Sequence, residues 1–233
     1  MSSGGGSLAA SHGMTAVVST MAPPKAQYQQ VDWATHKAIM HEMGQDGTEG
    51  EGYVNTSKSW SVNAYLRTDG SMSAANEASD WWLSENQIKQ IIKRVDSQMK
   101  PLTRNIQAVR FVSPEMLSEL GLQGEVSAMT GLPKPIKVTA ATAAQLQQMI
   151  QSGKLTEFTP KAYSSFSTDA KKNVFTSKQV KINYKISKGT PCIMTANATE
   201  SEGVLGRKVK HKITGARWVN DAFGGKLEID VTV

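Results

Sequence analysis

Three groups of residues in this sequence could do chemistry together. The last in chain order is Glu200-Ser201-Glu202. Two carboxylates two positions apart on a strand project from the same face. Like charges held that close call for a ligand, a cation or a reaction to offset their repulsion. Before them comes a hydroxyl-dense turn, Tyr163-Ser164-Ser165-Phe166-Ser167-Thr168. Earlier still, Arg110 stands between apolar neighbours in the alternating run Ile106-Gln107-Ala108-Val109-Arg110-Phe111-Val112, and a buried guanidinium requires an anionic partner. Each group has a plainer reading by itself: a salt-bridged arginine, a turn, a solvated sheet edge. Their order and company argue for a site.

The elements that must position these groups are legible in the hydrophobic pattern. Asp32 caps a helix in which Trp33, Ala34, Lys37, Ala38, Ile39 and Met43 can share one face. A glycine-rich break, 44–52, ends it. A second helix runs from Ser57 through Trp60 and Val62 to Arg67 and stops at Asp69-Gly70, with its stripe expected in the core. Ser84 caps the clearest helix, 84–99, whose stripe is Ile88, Ile91, Ile92 and Val95, and Pro101 ends it. Past the strand at 106–112 come loops with a short helix near Pro114 to Leu120, then a helix over 142–152. Strands are predicted near 163–167, 179–187, 191–195, 203–214 and 226–233. Helices first and strands later imply an α+β fold in which an antiparallel or mixed sheet is flanked by helices. Residues 1–30, rich in Gly, Ser and Ala, read as a flexible lead-in, and 31–233 as a single domain.

Composition sets the bounds. The chain has 233 residues, 39% of them hydrophobic, enough to bury a real core. A net charge of +6 favours phosphates or acidic surfaces, and eight lysines between Lys154 and Lys188 face only Glu157 and Asp169. Cys192 is the only cysteine, so no internal disulfide forms, and its apolar strand marks it as a small buried residue. No run approaches the roughly 18 apolar residues of a membrane span, and no signal peptide is legible. His12, His36, His41 and His211 lack metal-ligand spacing and read as surface residues; no metal is expected.

The order of Arg110, the Tyr163-Ser164-Ser165-Phe166-Ser167 run and Glu200-Ser201-Glu202 resembles the arginine–serine–glutamate signature of the mono-ADP-ribosyltransferases, which include clostridial binary toxins and phage-encoded enzymes. Val109-Arg110-Phe111 is similar to the family's first strand, and Lys181 to Thr190 to the strand and tight turn that follow the serines. Tyr53, Val62-Asn63 and Leu66-Arg67 resemble the helical region ahead of the core. The resemblance spans most of residues 50–215 and implies an α+β fold with N-terminal helices packed on a split, mainly antiparallel β-sheet core. Phe111 stands where many relatives carry glycine, Phe166 where they carry threonine, and 195–199 lacks the aromatic that often meets a protein target.

The resemblance implies NAD as substrate and transfer of ADP-ribose to the arginine of a target protein. It makes Glu202 the carboxylate that stabilises charge developing on the ribose, with Ser165 fixing its rotamer. It makes Glu200 the group that orients or deprotonates the nucleophile. Arg110, Phe111, Ser165 and Ser167 are then the dinucleotide-binding positions. An NAD glycohydrolase, or a non-catalytic basic virion or nucleic-acid-associated protein of the same fold, are the alternatives. Nucleic acid is disfavoured because the basic segments lack interleaved exposed aromatics. The expected setting is a host or bacterial cytoplasm, reached by virion delivery or by secretion as an effector, without membrane attachment.

Overall fold

The computed structural model describes residues 27–46, 53–54, 56–114, 116–117, 138–172, 175–222 and 224–233. Most of the expected lead-in, most of the Gly44–Gly52 break and most of the short helix expected near 114–120 lie outside them. The last four lead-in residues are tied to the sheet: Gln29 bridges Ile106, and Tyr28 Oη lies 3.0 Å from Ser187 Oγ.

Local signals place the helices. Asp32 accepts the Thr35 N–H at 2.8 Å and starts α1 (Trp33–Glu42). α2 (Lys58–Arg67) ends where Asp69 and Gly70 take φ of 54° and 103°. Ser71 then caps a short α3 (Met72–Glu77), which the sequence pattern did not reveal. A full capping box between Ser84 and Gln87 opens α4 (Glu85–Gln98), which buries Ile88, Ile91 and Val95. A second box, Thr139 with Thr142, opens α5 (Ala140–Gln151) two residues before the expected start.

The inward face of α1 differs from expectation. His36, Ile39, Met40 and Met43 are buried, whereas Ala34, Lys37 and Ala38 are exposed. On α2, Trp60 is 62% exposed instead of packed in the core. Nor are all the histidines on the surface: His36 and His211 are buried. His211 is held by the Val209 carbonyl at 2.8 Å and lies between the rings of Phe158 and Tyr184. Cys192 is buried, and burial pushes its thiol up to about 12.

The described residues form nine strands: β1 (Lys100–Pro101), β2 (Ile106–Val112), β3 (Glu157–Phe158), β4 (Ser164–Ser167), β5 (Val180–Ile186), β6 (Pro191–Met194), β7 (Glu202–Leu205), β8 (His211–Asp221) and β9 (Gly224–Thr232). They form one sheet in the order β1-β6-β7-β4-β2-β5-β9-β8-β3, antiparallel throughout except for β5 beside β9. The expected strand over 203–214 is two strands. Arg207 leaves the ladder to grip Asp96, and Lys208 turns the chain at φ 65° with its N–H on the Pro160 carbonyl. As a result β7 and β8 lie in opposite halves of the sheet.

The sheet is split where β2 meets β4. β2 pairs with β5 along its whole length, but with β4 it shares only the register pair Val109–Ser167. On one face of the β4–β7–β6 half, α2 and α4 enclose Tyr53, Val62, Ile88, Tyr163, Ile193 and Val204. The other face and the second half pack with α1 and α5 around Ile39, Leu146, Phe166, Ile182, Tyr184 and Ile229.

Phe166 explains one glycine. It stands opposite Gly203 across the β4–β7 ladder, and a Cβ on Gly203 would come within 2.3 Å of the Phe166 ring. We expect Gly203→Ala to cost about 1–3 kcal/mol, the range for overpacking a core. Denaturant unfolding checks this, and Phe166→Leu should recover part of the loss in the double variant.

Candidate active site

The split opens a cleft of about 610 Å³ on the α2/α4 side of the sheet, within the range of small-molecule sites. Its walls hold the six residues given roles above: Arg110 and Phe111 from β2, Ser165 and Ser167 from β4, Glu202 from the start of β7 and Glu200 from the turn before it. Alternation along β4 turns Ser165 and Ser167 to this face and Phe166 to the core behind. Glu202 pairs with Ser167 across the ladder, so it shares that face.

The two glutamates converge for a different reason than the expected strand pleat. Glu202 begins β7, but Glu200 belongs to the preceding turn, and Ser201 between them adopts φ 48°. A left-handed residue is uncommon outside glycine, and here it delivers Glu200 to the cleft from outside the ladder.

This architecture has solved counterparts. The ADP-ribosylating toxin BECa of a C. perfringens binary enterotoxin, solved with NADH, superposes with a TM-score of 0.60 at 15% identity, over 84% of this chain and 46% of that one. C3larvin toxin, an ADP-ribosyltransferase from Paenibacillus larvae, gives 0.56 at 20% identity, over 85% and 99%. C3stau2 from S. aureus, solved with NAD, gives 0.54 at 12% identity, over 89% and 98%. The chain has the ADP-ribosyltransferase fold. No protein-family model and no curated protein matches the sequence.

Within this ADP-ribosyltransferase fold, hydrogen bonds hold the loop that carries the glutamates. Asn197 Oδ1 accepts the N–H groups of Thr199 at 3.1 Å and Glu200 at 3.3 Å, and its carbonyl accepts the Ser201 N–H at 2.9 Å. Ser167 Oγ lies 2.6 Å from the Glu200 carbonyl and 2.8 Å from that of Asp169, and its one proton serves these two acceptors. Ser167 therefore fixes the backbone of Glu200. Thr168 takes hold of Ser201, its N–H 3.0 Å from the Ser201 carbonyl.

The carboxylate of Glu202 accepts hydrogen bonds from the side chains of Ser165 and Asn197. Burial holds its pKa above the ordinary glutamate value, and the nearby Glu200 adds to the rise. The Ser165 bond, the Asn197 bond and the Arg110 charge oppose it without cancelling it. Asn197 escaped the sequence reading because an asparagine in a polar loop carries no signal of what it will face.

The helical wall was also missed in its detail. Asn63 donates to Tyr53 Oη at 2.8 Å and accepts the Tyr163 N–H at 3.2 Å, joining α2 to the residue that precedes β4. Tyr163 Oη in turn lies 2.6 Å from Asp96, which Arg207 holds through Nε and a terminal nitrogen at 2.6 Å. Burial pushes the Asp96 carboxyl up, but Arg207 and Tyr163 outweigh it and leave the pKa lowered. A polar residue such as Asn63 on an otherwise apolar helix face was the available signal. Among the described residues no cluster of His, Cys, Asp and Glu could hold a metal ion, and no helix is long and apolar enough to cross a membrane.

Because the Ser165 hydroxyl favours the charged form of Glu202, Ser165→Ala should raise the Glu202 pKa further. In the pH profile of NAD cleavage the acid limb should then move to higher pH. An unmoved limb would separate Ser165 from Glu202 in function.

Proposed function

We propose that this protein is a mono-ADP-ribosyltransferase that uses NAD and transfers ADP-ribose to arginine side chains of a target protein. One observation carries the reading: a guanidinium, a serine and two carboxylates, distant in the chain, line one cleft of dinucleotide size in an ADP-ribosyltransferase fold.

In this reading Arg110 meets the phosphates of NAD through its planar fork. The bond between the ribose C1′ and nicotinamide breaks with its electron pair leaving on nicotinamide, and positive charge develops on the ribose. Glu202, fixed by Ser165 and Asn197 in a partly buried position, stabilises that charge and accepts a hydrogen bond from a ribose hydroxyl. A guanidinium nitrogen of the acceptor then bonds to C1′ and gives up a proton to Glu200. A carboxylate suits that partner because it matches a guanidinium in both shape and charge.

The rim of the cleft supports a macromolecular acceptor. The exposed large apolar side chains of the described residues are Trp60, Trp81, Trp82 and Phe175. Trp60 and Phe175 line the cleft, and the tryptophan pair follows shortly after Ala78, which also lines it. Aromatics of this kind are enriched where proteins meet. Incubation with labelled NAD and a bacterial lysate, followed by mass spectrometry of labelled peptides, tests the reading. Modified arginines support it, and release of free ADP-ribose without protein label would convert it to NAD hydrolysis.

A further inference from the structure

His36 makes a contact that the proposed chemistry does not use. It lies on α1, fully buried, and it is absent from the walls of the cleft. Its Nε2 is 3.0 Å from the Thr195 carbonyl and its Nδ1 is 3.0 Å from Thr168 Oγ1. A carbonyl oxygen only accepts, so Nε2 carries the proton, and in the neutral ring Nδ1 accepts from the Thr168 hydroxyl, whose one proton it shares with the Ser201 carbonyl 3.2 Å away.

Both partners lead directly to the glutamate loop. Thr195 donates its N–H and its hydroxyl to the Glu202 carbonyl, each at 3.0 Å. The Thr168 N–H holds the Ser201 carbonyl. One imidazole thus joins the residue at which the loop begins to the residue that anchors its end. A second link from α1 follows the same route: the Trp33 ring stacks on His36 at 4.9 Å, with Lys172 Nζ lying 5.4 Å over Trp33 and donating to the Ala198 carbonyl at 3.1 Å.

We propose that His36 is a positioning residue for both glutamates, an imidazole clamp from α1 that fixes the 195–202 loop and thereby the placement of Glu200 relative to Glu202. Lys172 is the charged group whose field reaches the ring. Burial above all, and then the Lys172 charge, lower the His36 pKa against the opposing pull of the Thr195 carbonyl, which favours the neutral ring of the clamp. The activity consequence rests on the transferase reading; the loop consequence does not.

The test compares wild type with His36→Gln and with His36→Phe, which keeps bulk but removes both polar atoms. Hydrogen–deuterium exchange should show the amides of 195–202 exchanging at least about tenfold faster in folded variants, with β2 and β5 unchanged. With NAD, kcat should fall about tenfold or more while KM for NAD stays within about twofold, because misplacing a catalytic group affects the chemical step above all. Transfer should fall more than hydrolysis, since it needs both carboxylates in register. A purely structural role would lower the melting temperature and leave kcat per folded molecule, the transfer-to-hydrolysis ratio and local exchange as in wild type. That result overturns the clamp, as does wild-type exchange in 195–202 alone. If wild type itself fails to cleave NAD, the transferase reading falls and the exchange measurement decides the clamp. Should His36→Phe not fold, His36→Gln carries the comparison.

Discussion

Replacing Glu202 by glutamine should lower NAD cleavage and ADP-ribose transfer by roughly 10²–10³-fold, the scale of removing one preorganised electrostatic group, while leaving the fold intact. The variant should be as stable at neutral pH as wild type, or more so. Glu202 sits partly buried beside Glu200, and both circumstances resist its ionisation. The folded protein therefore holds the Glu202 proton more tightly than the unfolded chain does. The stability tied to that proton is complete below the ordinary glutamate value of 4.5 and is lost as pH rises from there through the raised folded value. Above that window the ionised carboxylate is a constant cost, which glutamine removes. Thermal melts across the pH range should show the variant gaining on wild type through the window and then running parallel. Activity has the opposite dependence, because the charged form is the one that stabilises a cation. Wild-type turnover should rise with pH through the same raised value. A Glu202→Gln protein with full turnover would end the enzymatic reading.

Glu200→Gln should divide the two activities. Transfer to arginine should fall to near background, while cleavage of NAD by water should survive at a substantial fraction of the wild-type rate. Glu202 and its hydrogen-bond partners do not require the Glu200 carboxylate, and losing its negative charge lets Glu202 ionise at lower pH. The acid limb of NAD hydrolysis should accordingly shift downward in this variant. Quantifying free ADP-ribose against protein-bound label in one reaction checks both effects. Equal loss of both activities would show that the two carboxylates act as a unit.

How much of this was legible before folding depends on the range of the interaction. Helix α4 and strands β2 and β5 could be read nearly residue by residue, since their apolar periodicity and the Ser84 cap are local. The alternating pattern through 203–214 was misleading. It reports alternation but not the turn at Lys208, where Arg207 leaves the ladder for a partner on α4. Trp60 and His36 were assigned to the wrong environments because hydrophobicity predicts burial only on average. Trp60 faces the cleft mouth, whereas His36 is buried because two partners, 132 and 159 residues away, satisfy both ring nitrogens.

By itself, then, the sequence determined an α+β chain with helices ahead of strands and a short roster of residues fit for chemistry, because residue type and neighbour spacing act within a turn or a pleat. Tertiary structure alone decided that β4 lies between β7 and β2, that the sheet parts beyond Val109 and Ser167, and that Ser201 turns left-handed to present two acids to one hollow. Those outcomes follow from hydrogen bonds and packing between segments far apart in the chain, whose partners no local pattern encodes.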